Sequence, residues 1–214
     1  MQSVKRLVST LGLKPAALWL QTQLSHLKAA RQWRILASQS LIKLELGSGR
    51  KLGAHGWTTI DLRGADISFN IMKGIPLPDA SVSYIYSSHF LEHIPRREQL
   101  KLLRECLRVL KPGAIFSVSV PDAGRYIKYY LTQDYESITQ HQAYEPARVN
   151  TGSLMDGLNY VAYMDGHHKY MFDRENLINS LKQVPFSEVA LREFDPTIDP
   201  FERRDDSIYA VATK

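Results

Sequence analysis

The sequence predicts an α/β fold built on a mostly parallel sheet, and three observations lead there. From residue 41 onward, short β-type runs alternate with a stretch of helical periodicity. The length of 214 residues suits one domain with a sizeable core and is short for two. The composition, 44% hydrophobic and 23% charged, is that of a globular chain rather than a disordered or fibrous one.

The first element expected is a basic amphipathic extension over residues 1–40. Pro15 is placed to open a helix reaching residue 39, on which Leu20, Leu24 and Leu27 share one face. Lys5, Arg6, Lys14, Lys28, Arg31 and Arg34 fall in this extension with no acid, so a net charge of +5 for the chain leaves −1 for the rest. The basic excess is therefore local. No RNA-binding or helix-turn-helix signature accompanies it, so no specific nucleic-acid partner is expected. A cover packed on the domain is the favoured role, with peripheral membrane or partner contact the other. Lys14 and Pro15 interrupt the early apolar run, which argues against a bilayer span or a signal peptide. The lone cysteine, Cys106, sits in the helical pattern "LRECLRVL". It offers no intrachain disulfide and no Cys-based metal site, which suits the cytoplasm.

The main domain is expected over residues 41–214. Its strands read as "LIKLELG", "WTTIDL", "ADISFN", "VSYIYSSH" and "AIFSVSVP". Between the last two, Leu100, Leu103, Leu107 and Leu110 form an apolar stripe, with Pro112 and Gly113 as the expected helix stop. Residues 122–171 are rich in Tyr, Asp, His and Asn without clean periodicity, and are expected to form a substrate-facing insertion. Asp173 then caps a helix, "RENLINSLKQV", and two strands follow, "FSEVALREF" and "DSIYAVAT".

The stretch "LELGSGRKLGAHGWTTIDL" carries the ligand question. A dinucleotide fingerprint needs three glycines, and here Gly47 and Gly49 are followed by Leu52 in the third place. Glu45 would meet a pyrophosphate at the loop mouth with the wrong sign. A cationic ligand with a ribose diol and no phosphate suits Glu45 and Asp61 better. Only about ten residues separate Gly47 from the second strand, near the minimum for a parallel crossover, so the helix usual at this point is expected to be a turn or nearly absent.

Taken with "IPLPDASVSYIYSSHFLEHI" and "LRVLKPGAIFSVSVPD", these segments resemble class I S-adenosylmethionine-dependent methyltransferases, in the family's order and spacing over residues 41–122. The resemblance implies a Rossmann-like, mostly parallel seven-stranded sheet with helices on both faces. It implies S-adenosyl-L-methionine as cofactor and methyl transfer to a small-molecule or glycan acceptor, with oxygen the favoured atom. A noncatalytic cofactor-binding subunit, or another transferase using the same cofactor, is the alternative. Carried over position by position, Glu45, Gly47, Ser48 and Gly49 would form the loop under the methionine moiety, and Asp61 would accept the ribose hydroxyls, with Leu62 beside the adenine. Asn70 would meet the adenine amino group, and Ile71, Ser88 and His89 complete the implied cofactor-binding set. Lys51 stands where many members have a third glycine, Asn70 where an acid is usual, and Ser83 where an aspartate is usual.

A base is optional for displacement at a carbon already activated by a sulfonium. His89 and Asp122 follow the fourth and fifth strands, at the C-terminal sheet edge where ligands of open α/β folds bind, and are catalytic candidates. Asp122 could equally cap a helix at "AGRYIKYYL". His167 is the third candidate, since adjacent His167 and His168 point to opposite faces and one is expected to face the acceptor. His93 is expected to bond local backbone. Tyr129, Tyr130, Tyr160 and Tyr163 are available to line an acceptor pocket. No metal is expected from the His141, His167 and His168 pattern, which has no Cys or paired carboxylate to complete it.

Overall fold

The structure, a computed structural model, describes residues 27–214 apart from 141 and 143. Seven strands form one sheet: β1 (Lys43–Leu46), β2 (Trp57–Asp61), β3 (Ile67–Ser68), β4 (Val82–Ser88), β5 (Leu110–Pro121), β6 (Glu188–Leu191) and β7 (Ser207–Thr213). Their order is β3-β2-β1-β4-β5-β7-β6, with β7 antiparallel to both neighbours and every other pairing parallel. The helices are α1 (27–37), α2 (Arg96–Val109), α3 (Ala123–Leu131), α4 (Tyr135–Gln140), α5 (Met155–Tyr163) and α6 (Arg174–Lys182). This is the Rossmann-like order, which reverses between β1 and β4 and so opens a crevice at the C-terminal ends of those strands. Phe116, Val118 and Val120 of central β5 are fully buried, as is usual for strands covered on both faces.

The crossover from β1 to β2 holds no helix, as its length requires. The Gly47 and Ser48 amides donate to the Ile60 carbonyl, and two others are taken up by side chains. Asp66 Oδ2 accepts from the amides of Gly53 (2.9 Å) and Thr59 (3.0 Å) and from the Thr59 hydroxyl (3.0 Å). Thr59 is fully buried, so these bonds satisfy donors that no water could reach.

Helix α1 docks by a different stripe from the one the sequence suggests. Leu27 is 67% exposed, whereas Ala29, Trp33 and Leu36 are buried in the main core. Trp33 meets Phe69 edge-on at 5.6 Å, so α1 covers the sheet beside β3. Pro15, Trp19, Leu20, Leu24 and the basic residues Lys5, Arg6 and Lys14 lie outside the described residues. Among the described residues, no helix is long and apolar enough to cross a membrane.

Two further expectations are corrected. Helix α2 stops at Val109 rather than at Pro112-Gly113, because Leu110 already pairs with Val82 at the start of β5. Its fully buried apolar positions are Leu102, Leu103, Cys106 and Val109, with Leu100 and Leu107 only partly covered. Residues 122–171 are not irregular but contain α3, α4 and α5, which pack on one another over a second apolar cluster of Ala123, Tyr126, Ile138, Ala147, Tyr160 and Val161. The helical period was hidden because tyrosine and glycine make the contacts: a Cβ on Gly157 would stand 2.3 Å from Ile138. Asp173 caps α6 as expected, accepting from the Asn176 amide at 2.7 Å.

The connection from β6 to β7 is anchored by a buried ion pair. Asp199 has a side chain with no exposure and takes both Arg192 guanidinium nitrogens, at 2.6 and 2.7 Å. Tyr86 donates its hydroxyl to Asp199 at 3.0 Å, and the Asp195 amide donates at 2.8 Å. Arg192 in turn donates to Ser117 at 2.8 Å and stacks over Tyr209 at 4.9 Å. Removing one partner of such a pair leaves the other buried and uncompensated, so Asp199→Ala is expected to cost about 3–5 kcal/mol in denaturant unfolding. Asp205→Ala, which breaks the exposed Arg204 pair, should stay within about 0.5 kcal/mol of the parent.

Candidate functional site

A cleft of about 820 Å³ opens at the switch point, walled by the ends of β1, β2 and β4. Glu45, Gly47, Ser48, Gly49, Asp61, Leu62, Asn70, Ile71, Ser88 and His89 all line it, which brings together every expected cofactor residue. The glycines are needed for two different reasons. Gly47 has φ +70° and its Cα lies against the Phe90 ring, where a Cβ would stand 2.1 Å from a ring carbon. Gly49 has φ +66° and open space where a Cβ would point, so ligand can approach its backbone. Asp61 is fixed by two backbone amides, Gly49 at 2.9 Å and Leu62 at 2.6 Å. Each carboxylate oxygen keeps a free lone pair toward the cleft.

Three details differ from the expectation. Lys51 donates to both oxygens of Glu45, at 3.0 and 2.9 Å, so the loop mouth presents a neutral pair rather than a bare negative charge. No helix follows β1, so the loop lacks the helix N-terminus whose amides receive a pyrophosphate in dinucleotide-binding folds. The Asn70 amide oxygen is taken by the Met72 amide at 3.0 Å, leaving its NH₂ group for a ligand. The Ser88 hydroxyl is shared between Ser119 at 2.9 Å and Arg203 at 2.9 Å. None of residues 27–37 lines the cleft, so the described part of α1 does not cover the methionine end.

Behind the cleft lies a second cavity of about 320 Å³ that shares His89, His93, Glu202 and Arg203 with it. His89 ends β4 at φ +50°, a left-handed conformation that turns its ring out of the sheet. Its Nε2 is 2.7 Å from the Ser207 hydroxyl, and burial, reinforced by Arg203, holds its pKa well below the usual histidine value. Glu92 is buried, and neither carboxylate oxygen has a hydrogen-bond partner; burial pushes its pKa up to about 8. His93 donates from Nδ1 to the His167 carbonyl at 3.2 Å, a backbone partner far along the chain rather than the local one expected. His168 donates from Nδ1 to the Val161 carbonyl at 2.8 Å. Burial lowers the pKa of both rings, that of His168 to about 4.

The catalytic candidates separate. His89 borders both cavities and His167 lines the cleft with an exposed ring. Asp122 does not reach either one. Its carboxylate caps α3 through the Arg125 amide at 3.2 Å and faces a surface depression with Lys128 and Tyr129. Of the four tyrosines considered, Tyr160 alone lines the inner cavity, alongside Tyr126 and Tyr144. Sequence reading missed Arg203, Glu202 and Lys169, which arrive from the segments before β7 and α6 and carry no local motif.

Residues 44–118 match the family whose description is a methyltransferase domain. The matched segment supplies the loop and the ends of β1, β2 and β4, which wall the cleft. A probable S-adenosylmethionine-dependent methyltransferase of Mycolicibacterium smegmatis is 40% identical over 57 residues, covering 27% of this chain. The chain spans about a fifth of that relative, 21% of its length. Among solved structures, an S-adenosylmethionine-dependent methyltransferase from Mesorhizobium loti aligns with 19% identity and TM-score 0.49, over 86% of this chain and 96% of the other. One from Archaeoglobus fulgidus aligns with 17% identity and TM-score 0.47, over 89% and 94%.

The two glycines of the loop after β1 should respond unequally to substitution. Gly49→Ala is expected to lose only the left-handed preference, about 1–2 kcal/mol. Gly47→Ala adds overpacking against Phe90, a further 1–3 kcal/mol or so. Urea unfolding of both variants measures the difference, and Phe90→Ala combined with Gly47→Ala should recover the second part alone.

Proposed function

We propose that the protein is an S-adenosylmethionine-dependent methyltransferase that acts on a hydroxyl of a small-molecule or glycan acceptor. The observation that carries this reading is Asp61, fixed at the tip of β2 with free lone pairs toward a glycine loop that has no helix behind it. A ribose diol needs such a carboxylate, and a ligand without phosphate needs no helix N-terminus. The Lys51 and Glu45 pair fits the zwitterionic head of the cofactor, Lys51 toward its carboxylate and Glu45 toward its ammonium. Gly47 and Gly49 let the main chain approach, and the Asn70 NH₂ group and the Ile71 side chain are available to the adenine.

When bound, the cofactor supplies a methyl carbon activated by its sulfonium. The chain's own task is alignment and exclusion of water. His89, neutral because of its burial, stands at the boundary of the two cavities with one ring lone pair, and Ser207 fixes its orientation. It is our candidate to receive the acceptor's proton. The inner cavity, with Tyr126, Tyr144 and Tyr160 from the 122–171 segment, is our candidate acceptor site.

Calorimetry tests the cofactor. S-adenosylmethionine and S-adenosylhomocysteine should bind while NAD does not; comparable NAD affinity would overturn the reading. Asp61→Ala should weaken S-adenosylhomocysteine by about 1.5–3 kcal/mol, the scale of lost charge-assisted hydrogen bonds, with the fold retained. An unchanged affinity with a lowered melting temperature would make Asp61 a structural residue only.

A further inference from the structure

We propose that Glu92, His93 and His168 form a binding site for a divalent transition cation in the wall of the inner cavity. Their ligand atoms lie within 4.8 Å of one another, and Glu92 Oε1 is 3.8 Å from His93 Nε2. Ligands about 2.0–2.2 Å from one ion stand roughly 3–4 Å apart, so the set needs only a small contraction to close.

The two histidines are already in the form that binds a metal. A backbone carbonyl can only accept, so each Nδ1 carries the proton and each Nε2 keeps its lone pair. Carbonyl bonds of this kind fix the tautomer and the ring orientation of metal-bound histidine. The rings stand edge-on at 4.9 Å between centroids. Glu92 provides the independent observation. It has 2% residue exposure and no hydrogen bond to either carboxyl oxygen, a buried polar group that is costly unless compensated, and a cation that takes the place of its proton supplies that compensation.

The backbone holds the three groups in place before any ion arrives. Gln99 of α2 donates to the carbonyls of Leu91 (3.0 Å) and Ile94 (2.8 Å), fixing the turn that carries Glu92 and His93. The amides of Lys169 (2.7 Å) and Tyr170 (3.2 Å) both donate to the Glu92 carbonyl, drawing His168 against that turn. Three protein ligands facing a cavity leave coordination positions open, the pattern of catalytic rather than structural sites. Two nitrogens and one carboxylate suit Mn, Fe, Co, Ni or Zn better than Mg or Ca. That an acceptor oxygen takes an open position rests on the methyl-transfer reading; the cation site itself does not.

Cobalt(II) chloride, added to tag-free protein stripped with chelator, is the probe. One equivalent should produce a visible absorption band that zinc chloride removes by competition. Glu92→Gln and His168→Gln should each weaken cobalt binding by about 100-fold or more, beyond the effect usual for outer-sphere partners. His55→Asn, on the exposed crossover, should leave it unchanged. Far-UV circular dichroism checks the fold of each variant, and His93→Gln replaces any that fails to fold. No band in folded wild-type protein, or wild-type affinity in the folded Glu92 and His168 variants, overturns the site. S-adenosylhomocysteine calorimetry on the same samples separates the two readings: a cobalt band without cofactor binding keeps the metal site and rejects the methyltransferase reading, and the reverse result rejects the metal site.

Discussion

Much of this structure follows from the shortness of the connection between β1 and β2. Ten residues, 47–56, must cross between two parallel strands, too few to lay a helix on the sheet. Their amides lack intrahelical partners and need others. Asp61 and Asp66 meet that demand from either side, Asp61 through Gly49 and Asp66 through Gly53 and Thr59. Sheet surface near β3 that a crossover helix does not cover is packed by α1 through Trp33 and Phe69. The same shortness removes the positive end of a helix from the ligand loop. One geometric constraint thus sets both the packing and the kind of charge the cleft can receive.

The opposite rim of the cleft depends on a buried charge. Asp199 ties the β6–β7 connection to Arg192 and Tyr86, and four residues later Arg203 reaches the Ser88 carbonyl at 3.0 Å. Arg203 then borders both cavities and helps keep His89 neutral. Electrostatics at the site are in this way set by a segment distant in sequence and fixed by a pair that water does not reach.

The mostly parallel sheet was legible because apolar strand runs alternate with turns and a periodic helix. That Glu45, Gly47, Gly49 and Asp61 share one cleft was legible too, because they lie in and beside one crossover and their spacing carries the geometry. The inner cavity was not. Its walls join Glu92 and His93 to His168 and Arg203, and no local pattern records contacts across such separations. Asp122 was ambiguous because the end of a strand and the start of a helix coincide there, and the structure shows the cap, with the Arg125 amide donating to its carboxylate. Leu27 misled because helical spacing specifies a face without specifying how far along the helix docking begins. The pairing of Lys51 with Glu45 was likewise invisible, since six residues apart in a loop carries no fixed distance.

The double use of the Glu92 carbonyl bears on how the molecule breathes. Two amides from the strand-like stretch before α6 converge on one oxygen, and the turn behind it is clamped to α2 by Gln99. Local opening of either segment alone would strand these groups, so both are tied to the cooperative unit of the sheet, whose amides exchange with solvent only on large-scale unfolding. The partition between the two cavities is thus clamped from both sides, and swinging it aside would break hydrogen bonds on α2 and on the stretch before α6 together.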